Sequence, residues 1–232
     1  VLDTVFKYVN STFIDDYVHF GGDEVDYNCW GKRASILEYM KLHNISSFYD
    51  LSVDFRKREK QLWRRISPNK KVIFWANEYI DLPLEDDDVI QWWGVSWHTS
   101  ALAGRVNEVI LSNYDNTYLD IGFGNKNGND YWVYQHWRTA YSFNPRLDKV
   151  NVIGGVSCMW GELANKYNFD QKTFQRASVI GERLWNDKVT ISTELKNVQT
   201  RLTAHNDRLI SRGFKMWPIT VQLCEKNVDF CF

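Results

Sequence analysis

Five short runs rich in β-branched and aromatic residues punctuate the chain: Tyr17 to Phe20, Val72 to Trp75, Val89 to Trp92, Val109 to Ser112 and Val152 to Cys158. They are almost continuously apolar rather than alternating, which is the pattern of parallel strands covered on both faces. Parallel neighbours cannot be joined by hairpins, so each pair needs a crossover, normally a right-handed one through a helix. The intervening sequence supplies helical patterns. Phe48 to Ile66 places Phe48, Leu51, Phe55, Leu62 and Ile66 at helical spacing, with Arg and Lys on the other faces. Shorter or later candidates are Trp97 to Val106, Phe174 to Trp185, and Thr193 to Arg212, the last stopped by Gly213. Strand–helix alternation predicts an α/β fold, and five strands are an incomplete set for an eight-stranded barrel.

The first residues already follow a helical stripe, Val1, Leu2, Val5, Phe6 and Val9, so the sequence is expected to begin inside a fold. Gly122 to Pro145, which contains Asn127-Gly128 and many aromatics, reads as a long loop after the fourth strand. No stretch approaches the roughly 18 apolar residues of a membrane span.

Charge narrows the function. With 28 basic against 29 acidic residues the net charge is −1, which argues against binding nucleic acid or an anionic membrane. There is no CxxC pair and no HExxH, so neither a metal site nor a cofactor is expected; Cys29 and Cys158 read as isolated thiols. Cys224 and Cys231 are near enough in sequence to close a small loop. Asn10 and Asn44 open N-x-S/T triplets and are candidate glycan acceptors. The chain carries 11 Trp, 12 Tyr and 13 Phe. Two readings of this excess stand side by side: an aromatic-rich core, or flat faces for a sugar-binding cleft.

The strand ends carry the candidate chemistry. The first run leads into His19-Phe20-Gly21-Gly22-Asp23-Glu24. Successive strand residues point to opposite faces, so two adjacent carboxylates can serve one site only if the backbone bends, and paired glycines allow that bend. The later ends present Trp75 with Glu78, then Trp92-Trp93, then Tyr118 and Asp120, and finally Trp160-Gly161-Glu162. In a (β/α) barrel the strand C-termini form the active face. Carboxylates among aromatics, without a Ser–His pair or phosphate loop, point to glycoside chemistry.

HFGGDEVDYNCW, beginning at His19, resembles the signature of glycoside hydrolase family 20, the β-N-acetylhexosaminidases. VIFWANE, VIQWW, ILSNYDNTYLD, GGVSCMWGE and RASVIGERLW are similar to that family in the same order, and the likeness is greatest to the eukaryotic lysosomal type. The resemblance implies a (β/α)8 TIM barrel of which residues 1–232 are the C-terminal part, about strands 4 to 8 plus a C-terminal helix and tail. The family's N-terminal α/β domain and its first barrel strands, with an Arg that binds sugar hydroxyls, would then lie outside this sequence.

The implied reaction is hydrolysis of terminal N-acetylglucosamine or N-acetylgalactosamine residues from β-glycosides, retaining and substrate-assisted. Carried over by position, Glu24 is the general acid and base, expected in an enclosed aromatic setting. Asp23 accepts the acetamido N–H, and Tyr118 donates to the acetamido oxygen. Trp75, Trp93 and Trp160 wall the sugar, while Asp120 and Glu162 bind remote hydroxyls. His19 and Glu78 support the site rather than act on the reacting atoms. Family members divide at the position of Asp120, one subunit type having Asp and the other Asn followed by Arg. Asp120-Ile121 resembles the type that handles neutral sugars. Relatives bridge the cysteine at the position of Cys29 to one upstream; Cys224 pairing with Cys231 is the expectation at the C-terminal end. The resemblance further implies a lysosomal or secreted glycoprotein, dimerisation within reach of the full-length enzyme, and a fragment that is inactive alone. The competing reading is a non-catalytic carbohydrate-binding module or inactive fragment.

Overall fold

The computed structural model describes residues 1–76, 84–121, 135–186 and 191–219; the side chains of 191–194 and 196 are outside the description. Glu78, Cys224 and Cys231 therefore lie outside the described residues.

Five strands follow one another in one sheet, in the order β1 (Tyr17–His19), β2 (Lys71–Ala76), β3 (Val89–Trp92), β4 (Glu108–Leu111) and β5 (Asn151–Gly155). β1 pairs parallel with β2, and β2 with β3. Every residue of β3 is buried, Gln91 included, as a strand covered on both faces requires. Among the described residues the sheet does not close on itself, β1 and β5 being its two ends. By contacts the chain divides into two compact units, residues 1–92, 101–109 and 149–151 in one and 93–100, 110–148 and 152–232 in the other.

In the first unit, α1 (Leu2–Thr12) and α4 (Phe48–Ile66) pack together, with the shorter α2 (Tyr27–Trp30) and α3 (Ala34–Leu42) between them in sequence. α4 begins where the Ser47 hydroxyl accepts the Asp50 N–H, and it ends in Arg64 and Arg65, so both poles of its dipole are complemented. An aromatic core joins these parts. Phe6 stacks on Phe20 at 5.0 Å, and both meet the edge of Trp63, at 5.4 and 5.9 Å. Lys60 of α4 reaches the residue before β3 and forms a buried ion pair with Asp88, while Glu85 joins Lys60 at 2.8 Å.

In the second unit, α6 (Trp137–Tyr141) and α8 (Ile191–Ser211) flank α7 (Phe169–Trp185). Gly155 is closely approached: a Cβ would lie 2.7 Å from Leu184 Cδ2 and 3.2 Å from the Leu111 carbonyl oxygen. α8 closes with the Gly213 N–H on the Ile210 carbonyl and the Phe214 N–H on the Leu209 carbonyl, Gly213 having φ 92°. That is a Schellman end, with glycine where the left-handed residue belongs.

Several expectations need correction. The long loop from Gly122 to Pro145 contains the helix α6, and residues 122–134 lie outside the description. Trp97 to Val106 yields a 3₁₀ helix over Ser96–Leu102 rather than an α-helix. The last strand stops at Gly155, and α7 starts five residues before the expected Phe174. α3 and the single turns α2 and α5 (Tyr114–Thr117) have too few residues to develop a readable periodicity.

Candidate functional site

After β1 the backbone enters the left-handed region at Gly21 (φ 67°) and Gly22 (φ 89°), and again at Glu24 (φ 48°). The Phe20 N–H still donates to the Ile73 carbonyl at 2.9 Å, as a strand residue would, and the turn begins immediately afterwards. This is the bend that adjacent carboxylates need. Positive φ is costly for a glutamate, and such backbone strain concentrates at sites where geometry matters.

Two flanking residues hold the turn. His19 Nδ1 accepts the Gly21 N–H at 2.9 Å, and the Gly21 carbonyl accepts the Trp75 N–H at 3.1 Å. The His19 ring lies 5.1 Å from that of Trp75. Loss of water around the ring pulls its pKa down, against the hydrogen bond to Gln91 and the Asp23 charge. His19 thus braces the turn through its ring nitrogen. Asp23 and Glu24 are both exposed. Among the described residues the enclosed aromatic setting expected for Glu24 is not found.

In the second unit the strand ends carry Tyr118, Asp120, Trp160 and Glu162. An isolated parallel bridge pairs Tyr118 with Cys158, and the Leu119 N–H donates to the Cys158 carbonyl at 2.7 Å. This pairing sets the Tyr118 and Trp160 rings 6.1 Å apart, edge to face. Asp120 is 2% exposed. Burial raises its pKa, opposed by backbone N–H groups of Asp120 and Trp160; the nearby Glu162 charge adds to the rise, and Lys172 lowers it. Its Oδ1 has no hydrogen-bond partner among the described residues, although it is buried. Trp93, half-buried, follows β3 directly, and Trp75 is half-buried at the end of β2.

Two residues escaped sequence reasoning. The buried Lys172 donates to the Asp120 carbonyl at 2.7 Å. The equally buried Arg176 donates to the Ile121 carbonyl at 2.9 Å and also to the Leu119 carbonyl. Together these two cations of α7 fasten the segment bearing Tyr118 and Asp120. Their spacing of four on one helix face was visible, but cations at that spacing ordinarily mark a solvated face. Asn44 is exposed with φ 52°, just past α3, whereas Asn10 is half-buried within α1. Cys29 is an exposed free thiol and Cys158 a buried one, whose pKa burial pushes up to about 11. Among the described residues no cluster of three or more His, Cys, Asp or Glu is placed to hold a metal ion, and no helix is long and apolar enough to cross a membrane.

The model of the glycosyl hydrolase family 20 catalytic domain matches residues 1–188. The chain is 32% identical over 238 residues to β-hexosaminidase subunit beta of Mus musculus, covering 96% of this chain and 41% of that protein. It is 26% identical to the chitooligosaccharidolytic β-N-acetylglucosaminidase of Ostrinia furnacalis, over 99% of this chain and 43% of that one. The fold is similar to the exo-β-N-acetylglucosaminidase of Vibrio harveyi solved with N-acetylglucosamine, with TM-score 0.77 and 22% identity over 94% of this chain and 35% of the other. The chain thus spans about two fifths of the length of the curated relatives it matches. With four fifths of the sequence inside one family model and the strand-end motifs in order, this chain belongs to glycosyl hydrolase family 20.

Proposed function

We propose that residues 1–232 are the C-terminal part of the catalytic barrel of a retaining β-N-acetylhexosaminidase that removes terminal N-acetylglucosamine or N-acetylgalactosamine from β-glycosides. The observation that carries this reading is the edge-to-face pair of Tyr118 and Trp160, set by the Tyr118–Cys158 bridge on the segment that also bears the carboxylate of Asp120, an acceptor and aromatic set suited to a sugar. Family membership and the strained turn bearing Asp23 and Glu24 support it.

The acetamido oxygen of the bound sugar attacks its own anomeric carbon while the bond to the leaving oxygen breaks. Glu24 gives its proton to that leaving oxygen. The resulting oxazolinium ion carries positive charge on the acetamido nitrogen, whose N–H Asp23 accepts; Tyr118 donates to the acetamido oxygen. Glu24, now a carboxylate, takes a proton from water as that water attacks the anomeric carbon, which reopens the ring with net retention. Trp75, Trp93 and Trp160 line the sugar, Asp120 and Glu162 hold remote hydroxyls, and Glu78 supports Glu24. The protein acts in lysosomes or after secretion, carries N-glycans at Asn10 and Asn44, pairs Cys224 with Cys231, and forms dimers when complete. The chain alone is inactive, since Asp23 and Glu24 stand exposed at the edge strand of the described sheet.

The test is steady-state hydrolysis of a chromogenic β-N-acetylglucosaminide by the complete polypeptide and by its Glu24→Gln variant. A loss in kcat of about 10²–10⁴-fold is expected. Full activity in the variant rejects this role for Glu24, and turnover by residues 1–232 alone rejects the inactive-fragment reading.

A further inference from the structure

Arg56 is a midhelix residue of α4 with no place in the expected site, yet its guanidinium meets the turn that carries Asp23 and Glu24. Nη2 donates to the Gly22 carbonyl at 3.3 Å, and Cζ lies 4.1 Å from the centre of the Phe74 ring. A Cβ added to Gly22 would overlap Nη2 and approach Cζ to 3.1 Å. The absence of a side chain at Gly22 and the presence of the guanidinium are therefore one packing solution. At φ 89° the Gly22 carbonyl direction is open to many alternatives, because glycine resists few of them. A donor fixed on a helix and sandwiched against an aromatic face removes those alternatives.

The surroundings suit a cation kept for this purpose. Burial pulls the guanidinium pKa down, while Glu59, Asp88 and Tyr27 offset that loss. None of these forms an ion pair with Arg56 among the described residues, so the Gly22 carbonyl and the Phe74 face are the contacts that orient it.

We propose that Arg56 is a positioning residue that fixes the Gly21–Gly22 turn and thereby the direction in which Asp23 and Glu24 are presented. This rests on the role of Glu24 proposed above. Arg56 touches neither substrate nor reacting atoms. Its contribution is to geometry in the chemical step rather than to sugar binding.

The test measures kcat and KM of the complete enzyme with Arg56→Ala, Arg56→Met, Arg56→Lys and, as a control, Arg58→Ala, each checked by melting temperature. Small misplacements of catalytic groups cost up to about 100-fold, so a fall of roughly 10-fold to 100-fold in kcat is expected for Ala and Met, with KM moving less than about 3-fold. Arg56→Lys keeps a cation over Phe74 and one donor for Gly22, and it should recover most of kcat. Arg58, whose guanidinium meets Tyr39 and Asp54, should have no effect. Arg56→Met keeps the apolar stem against Phe74 and carries the test if the Ala variant does not fold. A folded Met or Ala variant with unchanged kcat, a loss confined to KM, or a Lys variant no better than Ala overturns the proposal. The Glu24→Gln variant, run alongside, separates that outcome from failure of the catalytic reading.

Discussion

Glu59 sits one turn from Arg56 on α4, half-buried, and burial pushes its carboxyl up to about 7 despite the nearby Arg56 charge. The ordinary value is 4.5, so the folded protein holds a proton that the unfolded chain releases between these limits. Stability from this group is fully present below about pH 4.5, declines as pH rises, and is lost above about pH 7. At about 1.36 kcal/mol per pH unit, that rise sets a ceiling of about 3.4 kcal/mol. Water reaches part of the side chain and screens the charge, so about 1–2 kcal/mol is the expected penalty at neutral pH and above. Glu59→Gln keeps the shape and removes the charge. In urea melts of the complete protein the variant should be more stable by that amount near pH 8, and equal to its parent within a few tenths of a kcal/mol near pH 4.5. A gain of the same size at both pH values, or a loss near pH 8, would refute the reasoning.

Other perturbations address the core and the pocket. Trp63 is wholly buried between Phe6 and Phe20, so Trp63→Ala should cost about 3–5 kcal/mol in the same melts. Asp88→Ala leaves the buried Lys60 with only the more exposed Glu85 and should cost about 3 kcal/mol, more than Lys60 and Asp88 replaced together by apolar residues. Asp120 would face the outer hydroxyls of the sugar, and an anion there repels a 6-sulfate. Chromogenic 6-sulfated sugar should therefore be cleaved far more slowly than the unsulfated one, and equal rates would remove Asp120 from that position.

The strands were legible because each is a short apolar run, and β3 was fixed to the residue. The helix Phe48–Ile66 was also readable to its ends, since Ser47 caps it, although its buried residues are Ser52, Lys60 and Trp63 rather than the apolar stripe. Legibility failed where tertiary packing rather than periodicity decides. α6 sits in a stretch whose aromatics resemble a loop lining, and its burial of Trp137 and Tyr141 against α7 is invisible locally. Of the candidate site, the turn at Gly21–Gly22 followed from two glycines before two carboxylates. The exposure of Glu24 could not be read, because it depends on which strands stand beside β1.

The cations were the largest blind spot, and they show what the sequence pattern leaves out. A turn at a strand end has carbonyls that no ladder satisfies, and buried carbonyls need donors. In the first unit Arg56 supplies one to Gly22; in the second, Lys172 and Arg176 supply them to Leu119, Asp120 and Ile121. Each cation reaches from the middle or first turns of a helix, on a face that charge alone would assign to solvent. Burying a cation is costly unless it is well bonded, and here each is bonded to a carbonyl of the turn it holds. Where a strand-end turn bears the residues expected to act on substrate, a half-buried Arg or Lys on the packed helix is therefore as informative as the motif itself.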